Sequence, residues 1–344
     1  MKSIDLRSDT ITQPTPEMRN AMAEAVVGDD VFGEDPTVIR LQEMAAEMLG
    51  KEAGLFVASG TMANLICELT HCQRGDEMLL GDQSHVFFYE QGGSASIGGI
   101  HSRTITNNPD GTMDLSRLES AIRPDNIHFP RTRLIVLENT HNRCGGRPIS
   151  ADYMTQVGKL AKKYGLQIHV DGARLFNAAI ALDITPDILT QAADSVSICL
   201  SKGLGAPAGS VVCGSKLFID KALRIRKVIG GGMRQSGILA AAGIVALTRM
   251  TQRLEEDHRH ARLLAMGLSK LKGIDVAPDL VKTNMVFFTV TRDEQDVQSF
   301  TERLKSLGVL VLPTGPRQLR AVTHFHVTGD DIDQAVEVFK KALS

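Results

Sequence analysis

A chain of 344 residues with 43% hydrophobic content is long enough to bury one large core and a smaller second one. Its 38 lysines and arginines nearly cancel 40 aspartates and glutamates, which leaves no bulk field for nucleic acid or an anionic membrane. A small molecule is the partner class that remains, and five cysteines without a CxxC spacing fit a reduced, cytoplasmic protein.

The opening MKSIDLRSDTITQP sets Asp5, Arg7 and Asp9 where a secretion signal needs an apolar stretch. It reads as an extended segment over 1–14, closed by Pro14. Thr15-Pro16-Glu17 then has the cap and first-turn chemistry of a helix. A second helix is expected from Thr37, with Val38, Leu41, Met44, Ala45 and Met48 on one face and Gly50 as its stop. From there to about 214, short apolar runs alternate with helical patterns: LFVAS at 55, MLLG at 78, RLIVLEN at 133, LQIHVD at 166, SVSICLS at 195 and SVVCG at 210. Such runs imply a mostly parallel sheet covered on both faces. After Gly230-Gly231-Gly232 the pattern becomes a long helix from about Ser236 into the 260s. Its apolar run, Ile238 to Leu247, is too short to span a bilayer. Strand-like NMVFFTV (284–290) and GVLVL (308–312) come next, each with a helix after it, as in a smaller α+β unit. The expected division is therefore 1–14, 15–245 and 246–344.

Polar residues crowd the ends of the apolar runs, and in open α/β sheets ligands bind beyond the carboxyl ends of the strands. Asp171 closes one buried run and Lys202, 31 positions later, comes just after another. A lysine there can hold an aldehyde as a Schiff base, and the acid can keep a pyridinium nitrogen protonated, the pairing that pyridoxal 5'-phosphate (PLP) requires. A structural salt bridge is the alternative. Ser59-Gly60-Thr61 lies between a strand and a helix, where backbone N–H groups and two hydroxyls face an anion, although the same triplet is an ordinary helix cap. GLGAPAG after Lys202 lacks the spacing of a dinucleotide fingerprint and reads as a turn. His85 and His128 each stand near a strand, and position alone leaves both between a structural and a catalytic role. Arg174 and Arg320 are candidate forks for a substrate carboxylate. Lys227 and Arg234 flank the triple glycine, as phosphate-side charge or as parts of a loop.

IDLRSDT, VGDDVFGEDPT, SGTMAN, ENTHN, HVDGARLFNA, CLSKGLGAPAGS and GGGMRQSGILAAAG together resemble the L-threonine aldolase family, within it the bacterial low-specificity enzymes, and the match runs nearly end to end. The resemblance implies an aspartate-aminotransferase-like large domain (fold type I) with PLP as cofactor. It implies cleavage of L-threonine, L-allo-threonine and related β-hydroxy amino acids to glycine and an aldehyde. Carried over by residue, Lys202 holds the cofactor, Asp171 meets its ring nitrogen, His85 stacks on the ring, and Ser59, Gly60 and Thr61 take the phosphate with Lys227 and Arg234. Ser8, Arg174 and Arg320 match the positions that hold the substrate carboxylate, Arg174 also lying near the cofactor oxygen. His128 matches a histidine near the substrate side chain, and Tyr89 a position where some relatives carry phenylalanine. No metal is implied. Homotetramers with shared sites are the expectation from similarity. An aminotransferase, a β-eliminating lyase and a non-catalytic protein of the same fold are the rivals.

Overall fold

The computed structural model describes residues 3–291 and 296–344. The six apolar runs form the strands Ala53–Val57, Glu77–Gly81, Thr132–Glu138, Gln167–Asp171, Ser195–Cys199 and Ser210–Gly214. A seventh strand, His101–Ile105, lies at the sheet's edge and is mostly solvent-accessible. Having one covered flank, it needs no continuous apolar run, which is why composition does not reveal it. In strand order across the sheet, Ala53–Val57 is followed by Ser210–Gly214, Ser195–Cys199, Gln167–Asp171, Thr132–Glu138, Glu77–Gly81 and His101–Ile105. All run parallel except Ser210–Gly214, which is antiparallel to both neighbours. The carboxyl ends thus converge, with Glu138 opposite Asp171 and Asp171 opposite Ser197.

Helices cover both faces for local reasons that recur. Ser150 accepts from the Tyr153 amide to start Ala151–Tyr164, and Gly165, at φ +65°, ends it. Between these caps Met154, Val157 and Ala161 recur at helical spacing and are buried. Burying a side chain such as Val157 contributes roughly 1.5–3 kcal/mol. The first helix is Pro16–Ala23, capped by Thr15, and the second Pro36–Met48, capped by Asp35, one residue before the expected start.

The long helix after Ser236 is present but interrupted: Gly237–Val245 passes through a wider π turn at Ala246–Met250 and a tighter one at Thr251–Arg253 before Leu254–Leu268. Thr248 and Thr251 donate their hydroxyls to the carbonyls of Ile244 and Leu247, four residues back, a contact that bends helices. Leu254 packs in the large core and Ala261 in a smaller one. The smaller core surrounds a four-stranded antiparallel sheet, ordered Leu312–Pro313, Gln318–Val322, Met285–Val290, Ile274–Asp275. GVLVL is not one strand. Val309–Leu310 pairs in parallel with Ile4–Asp5 at the start of the chain, while Leu312–Pro313 joins the other sheet. The chain continues into the strand Gln318–Val322, and only then into the helix Gly329–Leu343. Ile4 and Leu6 consequently belong to the smaller core. Among the described residues no helix is long and apolar enough to cross a membrane.

Candidate active site

Asp171 ends its strand in a buried position, 3% exposed. Its Oδ1 accepts from the Ala173 amide at 3.1 Å and its Oδ2 from Asn64 Nδ2 at 2.9 Å. Burial alone would raise its pKa, but the charges of His85 and Lys202, with smaller help from the neighbouring His169 ring and the Ala173 amide, outweigh that and hold it below the ordinary aspartate value. Lys202 lies just past the neighbouring strand in a turn, half-buried, closed by Gly205 at φ +76° and tied to the start of the chain through Thr12 Oγ1, which donates to the Lys202 carbonyl at 2.8 Å. Its charge also acts on Asp9 and His85. GLGAPAG is a turn, as expected.

His85 begins the short helix His85–Phe88, and its backbone amide donates to Glu138 Oε2 at 2.6 Å. The ring's Nδ1 meets Glu90 Oε1 at 2.8 Å, which leaves Nε2 available to a ligand. Burial works against the charged ring, yet the Glu90 hydrogen bond and the Asp171 and Glu90 charges raise its pKa overall. Burial conversely raises Glu90, and pushes nearby Glu68 up to about 8. Ligand atoms of His85, Glu90 and Asp171 lie within 4.8 Å of one another, close enough to share a cation. Asn64 already bridges the two carboxylates, so hydrogen bonds account for the cluster. Tyr89 is exposed beside His85, ring centroids 5.4 Å apart, and its hydroxyl accepts from Arg143 at 2.8 Å.

Ser59 caps the helix Gly60–His71 by accepting from the Met62 amide at 3.2 Å. A Cβ on Gly60 would lie 2.8 Å from Cys199 Sγ, so only glycine lets this helix begin against the strand that leads to Lys202. Thr61 is exposed next to it. A Cβ on Gly231 would fall 2.7 Å from Met62 Sδ, so the glycine loop packs on the same helix start. Lys227 lies exposed in the last turn of the helix Lys216–Val228 that leads into that loop, and Arg234 is paired with Asp29 at 2.9 Å. The buried cation nearest the adjacent strand is instead Arg226, which donates to the Phe56 carbonyl at 2.8 Å and pairs with Asp30.

At the other side, Arg174 grips Asp9 with two hydrogen bonds, Nε at 2.8 Å and Nη2 at 2.6 Å, both partners buried. Burial would raise the Asp9 pKa, but Arg174 and Lys202 drive it well below the usual carboxylate range. Arg320 enters from the strand Gln318–Val322, donating to Asn142 Oδ1 at 2.8 Å and the Arg7 carbonyl at 3.2 Å. Burial, and then the charge of Arg174, lower its pKa to about 10. Its Nε has no hydrogen-bond partner among the described residues. Arg174 thus spends its fork on Asp9, while Arg320, close enough to feel the charges of both, has no carboxylate partner of its own among the described residues, an arrangement with room for one further anion. Ser8 is half-buried beside Asp9 and accepts from Thr10.

His128 is not brought to this crevice within one chain. It lies exposed before the strand Thr132–Glu138, at the amino end of the sheet. A seven-residue strand puts roughly 20 Å between the two edges. A cleft of about 510 Å³ lined by Lys51, His71, Asp194 and Phe218 also opens at that amino edge, away from Asp171. Sequence reasoning missed Asp9, Asn64, Glu90, Asn142 and Arg226 as site residues. Asp9, Asn64 and Asn142 stood inside the quoted IDLRSDT, SGTMAN and ENTHN phrases, whereas nothing local marks Arg226.

A family model described as beta-eliminating lyase matches residues 5–291. The probable low-specificity L-threonine aldolase 2 of Arabidopsis thaliana is 49% identical over 99% of this chain and 97% of its own length. The chain belongs to the threonine aldolases of the beta-eliminating lyase family. The low specificity L-threonine aldolase of Escherichia coli K12 is 44% identical over 99% of both chains. Among solved structures, a threonine aldolase of Leishmania major superposes with a TM-score of 0.85 at 19% identity, covering 99% of this chain and all of the other. The architecture is accordingly the fold type I expected from the sequence, and the chain is an enzyme of the lyase class. For a threonine aldolase, the mostly parallel sheet and the separate small antiparallel sheet supply the two walls of the crevice just described.

Proposed function

We propose that the chain cleaves the Cα–Cβ bond of L-threonine, L-allo-threonine and related β-hydroxy amino acids to glycine and an aldehyde, with PLP as cofactor. The observation that carries this reading is the meeting of Lys202 with an ionised Asp171 in one crevice, beside two buried guanidiniums of which only Arg174 is paired with a carboxylate. The residues fit the cofactor. Lys202 would hold its aldehyde carbon and Asp171 its ring nitrogen, with His85 against the ring. Ser59, Gly60, Thr61 and the free amides of that helix start would take the phosphate, with Lys227 and Arg234 at the periphery. When bound, PLP supplies the electron sink that breaking the Cα–Cβ bond requires.

The chain's own groups do the rest. Arg320 and Arg174, with Ser8, bind the substrate carboxylate and so decide which bond at Cα stands ready to break. His85, held at Nδ1 by Glu90, takes the proton of the β-hydroxyl at Nε2, directly or through a water it positions, as the carbonyl of the departing aldehyde forms. A proton returned to Cα completes glycine. Tyr89 flanks the side on which the β-substituent leaves. Names of relatives support L-threonine as substrate and low specificity toward the side chain.

The family resemblance also supports a homotetramer in the cytoplasm. His128 would then serve a neighbouring subunit's crevice, in keeping with its exposed loop and with Ile127 and Phe129, 98% and 41% exposed, on either side of it. The test is product analysis. L-threonine alone should give glycine and acetaldehyde, and Lys202→Ala should abolish both this and the yellow colour of the purified protein. Dependence on an added 2-oxo acid would make the chain an aminotransferase, and release of ammonia with a 2-oxo acid a β-eliminating lyase.

A further inference from the structure

A row of polar groups, buried as far as the half-buried His71 at its end, runs from Asp171 toward the opposite edge of the sheet. Its residues recur at the periods of the elements that carry them. His169 and Asp171 are two apart on one strand, Ser195 and Ser197 two apart on the next, and Asn64 and His71 seven apart on the helix above, so each pair shares a face. His71 Nε2 meets Ser195 Oγ at 2.8 Å, and that hydroxyl meets His169 Nδ1 at 3.0 Å. His169 Nε2 meets Asn64 Oδ1 at 3.1 Å, and Ser197 Oγ donates to the same oxygen at 2.8 Å. The Asn64 amide group then donates one hydrogen to Asp171 and one to Glu90.

The polarity of this row is fixed by its ends. Asn64 must turn its NH₂ to the two carboxylates, since its oxygen there would face only acceptors. The amide oxygen then requires His169 to donate from Nε2, which makes Nδ1 an acceptor for Ser195, whose oxygen in turn receives from His71. Every donor points toward Asp171. Burial holds His169 at about 4 and His71 at about 3, so each ring stays neutral and carries one N–H. An amide does not relay protons readily, so the row acts by position and polarisation rather than by conduction.

We propose that Asn64, locked by His169 and Ser197, is a positioning residue that keeps Asp171 ionised and aimed at the cofactor, and thereby sets the protonation of the cofactor's ring nitrogen. The inference rests on the PLP reading above. Its test is the ¹⁵N resonance of ring-labelled PLP bound to the protein, together with the cofactor dissociation constant and the melting temperature. Asn64→Leu should raise that constant at least ten-fold, on the scale of a lost hydrogen bond to a charged group, and move the resonance toward the unprotonated position. His169→Phe should move it the same way by less. His169→Gln, whose amide can still donate to Asn64, should stay with the wild type. Should Asn64→Leu fail to fold, the His169 pair decides. A resonance and a dissociation constant unmoved in Asn64→Leu and His169→Phe, whatever happens to melting, would overturn the inference alone. A wild-type protein that takes up no PLP would overturn the cofactor reading and this inference with it.

Discussion

His85 and Glu90 show how one hydrogen bond selects the chemistry of a ring. Glu90 holds Nδ1 and raises the imidazole pKa against the effect of burial, so the neutral base is lost as pH falls through a value above the ordinary histidine figure of about 6.5. In Glu90→Gln that support is weakened while burial remains. The acid limb of the kcat/KM profile should therefore move to lower pH, and an unmoved limb would show that His85 is not the base it reports. Arg320 carries a second prediction. Its proposed task is to bind the substrate carboxylate, so Arg320→Leu should lower kcat/KM by roughly 10- to 100-fold, the equivalent of one or two charge-assisted hydrogen bonds. Arg320→Lys keeps the charge without the fork and should recover only part of that loss.

At the scale of elements, the proposed phosphate end depends on how closely a helix can start against a strand. Gly60 permits that approach because a methyl group there meets the buried Cys199 sulfur at 2.8 Å. Gly60→Ala should cost about 1–3 kcal/mol of stability through overpacking, and should also weaken cofactor binding by displacing the helix start. Melting curves taken with and without PLP separate the two effects, since a variant that merely unfolds earlier keeps the full upward shift on adding cofactor. The interrupted helix from Gly237 to Leu268 runs from the large core to the smaller one. We take its irregular middle as support for a domain division at 246.

Across the molecule, Asp9 is where three distant parts of the chain meet: the N-terminal segment, Arg174 from the large sheet's edge, and Asn284 beside the smaller sheet. Asp9→Ala leaves the buried Arg174 charge uncompensated and should destabilise the fold by about 3–5 kcal/mol in urea unfolding. The sign of the pH effect comes from a depressed carboxyl. The pair's contribution is fully present above about pH 3.9 and is lost as pH falls from there toward the folded-state value, so the variant should lose this part of the acid sensitivity. A loss under 1 kcal/mol would show that Arg174 has found another partner.

Six of the seven central strands, the acid and the lysine at their ends, and the Thr15 cap of the first helix were legible in the chain itself. Continuous apolar runs state their own burial, and a charged residue that closes such a run is placed by it. The edge strand at His101, the split of GVLVL and the strand carrying Arg320 were not legible, because pairing partners lie far away in sequence and decide which flank is covered. The same holds for the site. Asp171 and Lys202 can be read from local pattern, but Asp9 acquires meaning only from an arginine 165 positions on, and Asn64 only from two strands more than 100 residues beyond it. Position relative to strands also left His128 open, and the direction of the strand it precedes, parallel to the one that ends in Asp171, sets it at the far edge. Short-range periodicity determined which residues could be chemical; long-range packing, which sets burial and hence charge, decided how they are paired.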